Sequence, residues 1–321
     1  MTPAPDPRPA APPLRARCPV THLRHVGLAV PDLGRQVDFY AGAWGLTVVA
    51  EDSGIAFLAA EGSPESFVVR LRRAPERRLD LLSFGAADTA AVDALAARML
   101  TCDVQVIGRP GPLRTPGGGH GFRFFDVDGR TVEVSADVAP RRRGPGEGRD
   151  AVPVSLSHLA VESPDIDRTR AWYERHLGLV PAGTLGSART GEVAHFLEAD
   201  RRRPALTVTR GPRTALHHVS FAMRGPDASA RGSGRVARAG FRPTDASGPL
   251  PAGVRAAVRF LDPHGNTVEY TEGPAPLTGA PGPQTRGPSG RAATAVRGDG
   301  AAGAREPHPA PDRGCFIAPP V

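Results

Sequence analysis

This chain states one pattern twice, and the repeat limits what it can fold into more than any other feature. HVGLAVPD from His25, with Phe39 and Tyr40 and then Gly45 and Leu46, recurs as HLAVESPD from His158, with Trp172 and Tyr173 and then Gly178 and Leu179. Every matched pair is 133 residues apart. FFDVDGRTVEV from Phe124 recurs as FLDPHGNTVEY from Phe260, 136 apart. Whatever supersecondary unit the first half builds, the second half builds again.

The copies differ where chemistry would reside. LDLLSF from Leu79 matches LHHVSF from Leu216 through Ser83 with Ser220 and Phe84 with Phe221. Leu81 then stands where His218 stands. The first copy offers His25, Leu81 and Glu133, and the second offers His158, His218 and Glu269. Only the second set can serve as a three-ligand metal site.

Strand periodicity points the same way, because successive side chains leave a strand on opposite faces. Leu159 and Val161 form an apolar face, opposite His158 and Ala160. Val219, Phe221 and Met223 share a face with His217, opposite His218, Ser220 and Ala222. Val268 and Tyr270 oppose Thr267, Glu269 and Thr271. If these strands share a cupped sheet, His158, His218 and Glu269 converge in its concavity, and His217 turns toward packing against helices. Two imidazoles and one carboxylate leave coordination positions open, as in non-haem Fe(II) sites, and Mn(II) would also fit.

The formal charge of +7 invites a nucleic-acid reading, which requires a basic face with aromatic or helical readout. The basic residues are all Arg and are dispersed apart from short runs at Arg141 to Arg143 and Arg201 to Arg203, and aromatics are 5%. No nucleic-acid partner is expected. Cys18, Cys102 and Cys315 are too few and too separated for a disulfide framework or a thiolate zinc site, so reduced thiols in a cytoplasm are expected. No apolar secretion segment and no membrane-length apolar run is present in the sequence, and no membrane association is expected.

Segment composition predicts an N-terminal arm over 1–20, a module over 21–137, a linker over 138–151, a second module over 152–273 and a tail over 274–321. The arm and tail, rich in Pro, Ala, Gly and Arg, are expected to be disordered. Each module reads as a strand, a helix and then several strands. Asp32 and Asp165 are placed to cap the first helix of each copy, and a Gly-Leu step ends it. A second helix begins near Ala86, and its counterpart over 227–239 is weakened by Gly232 and Gly234. His176 reads as a surface residue, His120 as a loop residue, and His264 as solvent-facing.

The HLAV strand, the WYERHLGL helix, the LHHVSF strand and the DPHGNTVEY strand together resemble the vicinal oxygen chelate superfamily, which includes glyoxalases, bleomycin resistance proteins and dioxygenases. Two modules with ligands only in the second are most similar to type I extradiol dioxygenases, the catechol 2,3-dioxygenase group. The resemblance implies an α+β fold of tandem paired βαβββ modules forming cupped mixed sheets. It implies metal ligands at His158, His218 and Glu269, Fe(II) as cofactor, and a catechol-type diol and dioxygen as substrates. The architecture also admits a homo-oligomer.

Departures from that family concern proton transfer. Its usual acid-base His falls in the stretch where Arg203 and Pro204 stand, its Tyr ten residues before the Glu ligand falls at Arg259, and a further His falls around Leu250 and Pro251. Arg203 and Arg259 either point into the cup and bind an anionic substrate, or are respectively a solvated turn and a residue displaced by a register shift. A guanidinium stays charged and cannot act as a practical base. His195 is the candidate replacement acid-base residue. The alternatives are another metal-dependent member of the superfamily, such as its Mn(II) transferases, a lyase or an isomerase, and a small-molecule binding or resistance protein.

Overall fold

Alternating apolar runs split by turn residues make this chain predominantly strands. The computed structural model describes residues 19–141, 149–186, 193–200, 203–244 and 257–272. The arm up to residue 18, the middle of the linker, the tail and the positions around Leu250 and Pro251 lie outside them. The first half runs β1 (Val20–Val30), α1 (Leu33–Asp38), a π-helical turn (Phe39–Trp44), β2 (Thr47–Asp52), β3 (Ile55–Ala59), β4 (Val69–Arg73), β5 (Arg78–Ala86), α2 (Thr89–Thr101), β6 (Val106–Pro112), β7 (His120–Phe125) and β8 (Thr131–Ala136). The second repeats it as β9 (Ser155–Ser163), α3 (Ile166–Leu177), β10 (Val180–Gly186), β11 (Val193–Asp200), β12 (Arg203–Arg210), β13 (Ala215–Met223), α4 (Pro226–Arg238), β14 (Pro243–Thr244), β15 (Ala257–Leu261) and β16 (Thr267–Glu272).

Each half forms one eight-stranded mixed sheet, ordered β2-β3-β4-β1-β5-β8-β7-β6 and β10-β11-β12-β9-β13-β16-β15-β14. A βαβββ unit supplies each side, and the two join through the antiparallel pairs β1–β5 and β9–β13. This is the tandem paired βαβββ architecture that the resemblance implies. Helix starts follow the predicted chemistry, since the Asp32 and Asp165 carboxylates each accept a hydrogen bond from the backbone N–H three residues on, at 3.0 Å. Gly45 and Gly178 end their segments with φ of 96° and 69°, a left-handed turn that glycine adopts without side-chain strain.

The two halves interlock. Trp44 is fully buried and stacks on Tyr270 of the other half with ring centroids 3.8 Å apart, and the Tyr270 hydroxyl donates to the Trp44 carbonyl at 2.6 Å. The reverse contact carries the Tyr173 hydroxyl onto Asp126 at 2.8 Å. Burying Trp44 contributes on the order of 4–6 kcal/mol from apolar area. All the described residues fall within one compact unit, and a single hydrophobic cluster runs through both sheets.

The helix expected over 227–239 is present, and the placements expected for three histidines are corrected. The helix over Pro226–Arg238 forms despite its glycines, and Gly232 has a packing reason: a Cβ there would lie 3.0 Å from the Ala151 carbonyl oxygen and from Met223. His176 is buried, with its ring 4.9 Å from that of Trp172, because it closes the last turn of α3 against that indole. His120 opens β7, and His264 is half-buried, donating to the Asp32 carbonyl at 3.0 Å. No helix among the described residues is long and apolar enough to cross a membrane.

Candidate metal centre

Register builds the site. His158 pairs with Ser220, Ser220 with Glu269 and Glu269 with Arg259, so one row across β9, β13, β16 and β15 lies on a single face. The adjacent row is Phe196, Thr207, Ala160 and His218. Both rows face away from the helices, whose side holds Leu159, Val161, Val219 and Val268 in the core.

The three candidate ligands meet at one point. His158 Nε2 lies 3.0 Å from His218 Nε2, and Glu269 Oε1 lies 3.9 Å and 3.7 Å from the two nitrogens. Such separations suit donors that share one ion at about 2.0–2.2 Å. All three side chains are buried, and Glu269 Oε1 has no hydrogen-bond partner. A buried carboxylate oxygen left unsatisfied is costly, and a cation would relieve it.

Electrostatics fit the same use. Burial, reinforced by Arg259 and His217, pushes His158 down to about 3, and burial with His158 alongside holds His218 well below the ordinary imidazole value. Both rings are therefore neutral, the form that ligates metal. Burial raises the Glu269 carboxyl even though Arg259 opposes the shift. The copy without a triad behaves differently. Burial also pushes Glu133 upward, but His25 and Arg123 pull it below the ordinary range, and Ser83 donates to Glu133 Oε1 at 3.0 Å. The first carboxylate is satisfied by the protein, whereas the second is short of positive charge.

The remaining candidates separate. Arg259 is not displaced: it pairs in register with Glu269, is buried, and donates from Nε to Glu269 Oε2 at 2.6 Å. Arg123 holds Glu133 Oε2 the same way at 2.9 Å. An Arg one strand over from the carboxylate is thus common to both copies and ties down one carboxylate oxygen. Arg203 lies in β12 with its backbone paired to Asp200, not in a turn, and its side chain is outside the described residues.

His195 is corrected. It pairs with Val208, which pairs with Val161, so it sits on the helix face, opposite His158. Its Nε2 meets Asp167 of α3 at 3.0 Å and its Nδ1 meets Thr184 at 2.9 Å. Neither ring nitrogen faces the triad, so it does not replace the missing acid-base residue.

His217 is the residue that strand counting misplaced. A bulge lies between Leu216 and His218, so strict alternation fails there, and His217 Nδ1 comes within 2.6 Å of His218 Nδ1. Both copies carried the sign in sequence. Asp80 and His217 are polar at a position that alternation assigns to the apolar face, and each follows a Leu.

The family model for the Glyoxalase/Bleomycin resistance protein/Dioxygenase superfamily matches residues 22–134 and 155–270. The chain belongs to this superfamily. Among its relatives, Metapyrocatechase 2 of Cupriavidus necator is 27% identical over 286 residues, 82% of this chain and 84% of that protein. The Mn(II)-bound glyoxalase from Novosphingobium aromaticivorans is 36% identical with a TM-score of 0.70, covering 79% of this chain and 82% of that one. Homoprotocatechuate 2,3-dioxygenase from Arthrobacter globiformis shares the fold at a TM-score of 0.68 and 22% identity, covering 83% and 82%. Solved structures that share this fold include an Mn(II)-bound glyoxalase and dioxygenases.

Proposed function

We propose that this chain is a mononuclear metal(II) enzyme of the extradiol dioxygenase type, holding Fe(II) through His158, His218 and Glu269 and acting on a catechol-type diol with dioxygen. The observation that carries this reading is the buried cluster of three donors confined to one half of the repeat, with Glu269 Oε1 unpartnered. The likeness to Metapyrocatechase 2 over most of both chains supports the reaction type. When bound, the metal supplies Lewis acidity and, if Fe(II), an electron route between diol and dioxygen.

The protein's own residues would do the rest. Neutral His158 and His218 present lone pairs without first losing protons. Arg259 fixes the outer oxygen of Glu269, so that Oε1 faces the two nitrogens. On the adjacent row, Phe196 offers an aromatic face and Thr207 a buried hydroxyl with no partner among the described residues, a setting suited to a small planar ligand with polar edges.

A second reading is Mn(II)-dependent, non-oxygenase chemistry as in a transferase, lyase or isomerase. It is favoured by Arg259, a permanent cation, at the place where the resemblance expects a Tyr, and by the 36% identity to an Mn(II)-bound glyoxalase. Anaerobic Fe(II) reconstitution with metal analysis, followed by oxygen uptake on a panel of catechols, separates the two. Iron at one per chain with catechol-dependent uptake and a yellow ring-fission product is the expected result. Bound metal without uptake would favour the second reading, and no bound metal would leave a binding or resistance protein.

A further inference from the structure

We infer that His217 is a positioning residue for the metal centre: its Nδ1 accepts the Nδ1 proton of His218 and so fixes the tautomer and ring orientation of that ligand. The inference rests on the metal reading above and adds to it a residue outside the triad.

The geometry supporting it is local. His218 Nε2 is the nitrogen that faces His158 Nε2 and Glu269 Oε1, at 3.0 and 3.7 Å. To act as a ligand it must carry its lone pair there, which puts the ring proton on Nδ1. His217 Nδ1, at 2.6 Å, is placed to accept that proton, and its own proton then sits on Nε2. Ligating histidines ordinarily donate their second N–H to a carboxylate, carbonyl or water. Here an adjacent imidazole does that work.

A neighbour in sequence can reach only because of the bulge. On a regular strand His217 and His218 would leave on opposite faces. The first copy repeats the device with other chemistry. Gly27 pairs with Leu81 and Leu28 with Leu79, so Asp80 is its bulge residue. Asp80 accepts from Arg70 at 3.3 Å and from Arg72 Nε at 2.9 Å, residues paired with Gly27 and Ala29 on the face that also carries His25. The bulge position therefore turns toward the cup in both halves, holding an Asp against arginines in one and a His against a ligand in the other.

Mn(II) titration of the chelator-treated full chain, followed by the decrease of the free-ion paramagnetic resonance signal, tests this together with the spectrum of the bound ion. His217→Leu removes the acceptor and is expected to weaken Mn(II) binding about 10–100-fold while the metal-free unfolding midpoint stays near that of the parent. His217→Asn places an amide oxygen near the lost nitrogen and should restore most of the affinity and the parent spectrum. Should the leucine variant not fold, His217→Phe keeps the ring volume without the acceptor and gives the same reading. Parent-like binding by the leucine or phenylalanine variant would overturn the inference and leave the metal site standing. Equal weakening by leucine and asparagine would also overturn it, since the acceptor would not be what matters. Absence of Mn(II) or Fe(II) binding by the parent chain would overturn the metal reading itself.

Discussion

Replacing Arg259 by methionine should destabilise the metal-free protein far more than the metal-loaded one. Arg259 and Glu269 are 3% and 0% exposed at their side chains, so solvent screens neither. Removing one member of a buried pair typically costs about 3–5 kcal/mol, because the partner charge is left in a low-dielectric site. Here Glu269 Oε1 already lacks a partner, and the substitution strips Oε2 of its charged donor as well. A divalent ion beside Oε1 would replace the missing charge, so Mn(II) should recover much of the loss. The acidity dependence carries a definite sign. Burial already holds the Glu269 carboxyl above its ordinary value, and losing Arg259 raises it further. A carboxyl that binds its proton more tightly folded than unfolded weakens the fold as pH rises through that window, so the deficit should shrink from about pH 8 to about pH 5.5. Urea unfolding with chelator and with saturating Mn(II), at both pH values, measures each quantity. Arg123→Met is the internal control: Arg123 is 23% exposed and Glu133 keeps the Ser83 hydroxyl, so its loss should be smaller and indifferent to Mn(II). An Arg259→Met deficit that is unchanged by Mn(II) and by pH would refute the reasoning.

Three further outcomes are expected. Alanine at His158, His218 or Glu269 should abolish metal retention measured by elemental analysis, whereas His25→Ala and Glu133→Ala should leave it near the parent value; the reverse pattern would contradict the asymmetry between the copies. Mn(II) affinity should fall with falling pH through protonation of Glu269, with no inflection near the ordinary imidazole value, since burial keeps His158 down at about 3 and His218 well below its usual range. An inflection near that value in titrations across pH would mean the imidazoles are not held neutral. Trp44→Ala should cost about 3–5 kcal/mol in urea unfolding and loosen both halves together, because its ring is buried against Tyr270 and Phe221 of the other sheet. Loss of structure in the first half alone would show that the halves fold independently.

Much of this is legible in the sequence. The 133- and 136-residue offsets show the duplication, and alternation puts His158, His218 and Glu269 on one face because β9 from His158 onward, β13 over His218–Ser220 and β16 run without a register shift. Alternation failed where the backbone is irregular. Alternation places His217 on the helix side because a bulge adds a residue that counting by two cannot see. His195 was ambiguous since its orientation depends on pairing with β10 and β12, and partners are not written in a single strand. The resemblance leaves Arg259 either facing the cup or displaced by a register shift, and Arg123 at the matching place in the first copy, which pairs the same way, is the comparison in the sequence that decides against displacement.

The silence of the first copy follows from filling rather than mere loss of a ligand. Leu81 occupies the place of His218, and its partner across the ladder is Gly27 where the second copy has Ala160. A Cβ on Gly27 would come within 2.9 Å of the Leu81 Cβ, so the larger side chain on one strand goes with the smallest residue on the next. Ser83 donates to Glu133 Oε1 at 3.0 Å, whereas the Ser220 hydroxyl lies 3.1 Å from that of Thr271 and Glu269 Oε1 has no close hydrogen-bond partner. The serine at this position holds the first carboxylate closely and the second only weakly. Restoring a ligand by Leu81→His alone would therefore meet a tight ladder at Gly27 and a carboxylate already held by Ser83 and Arg123.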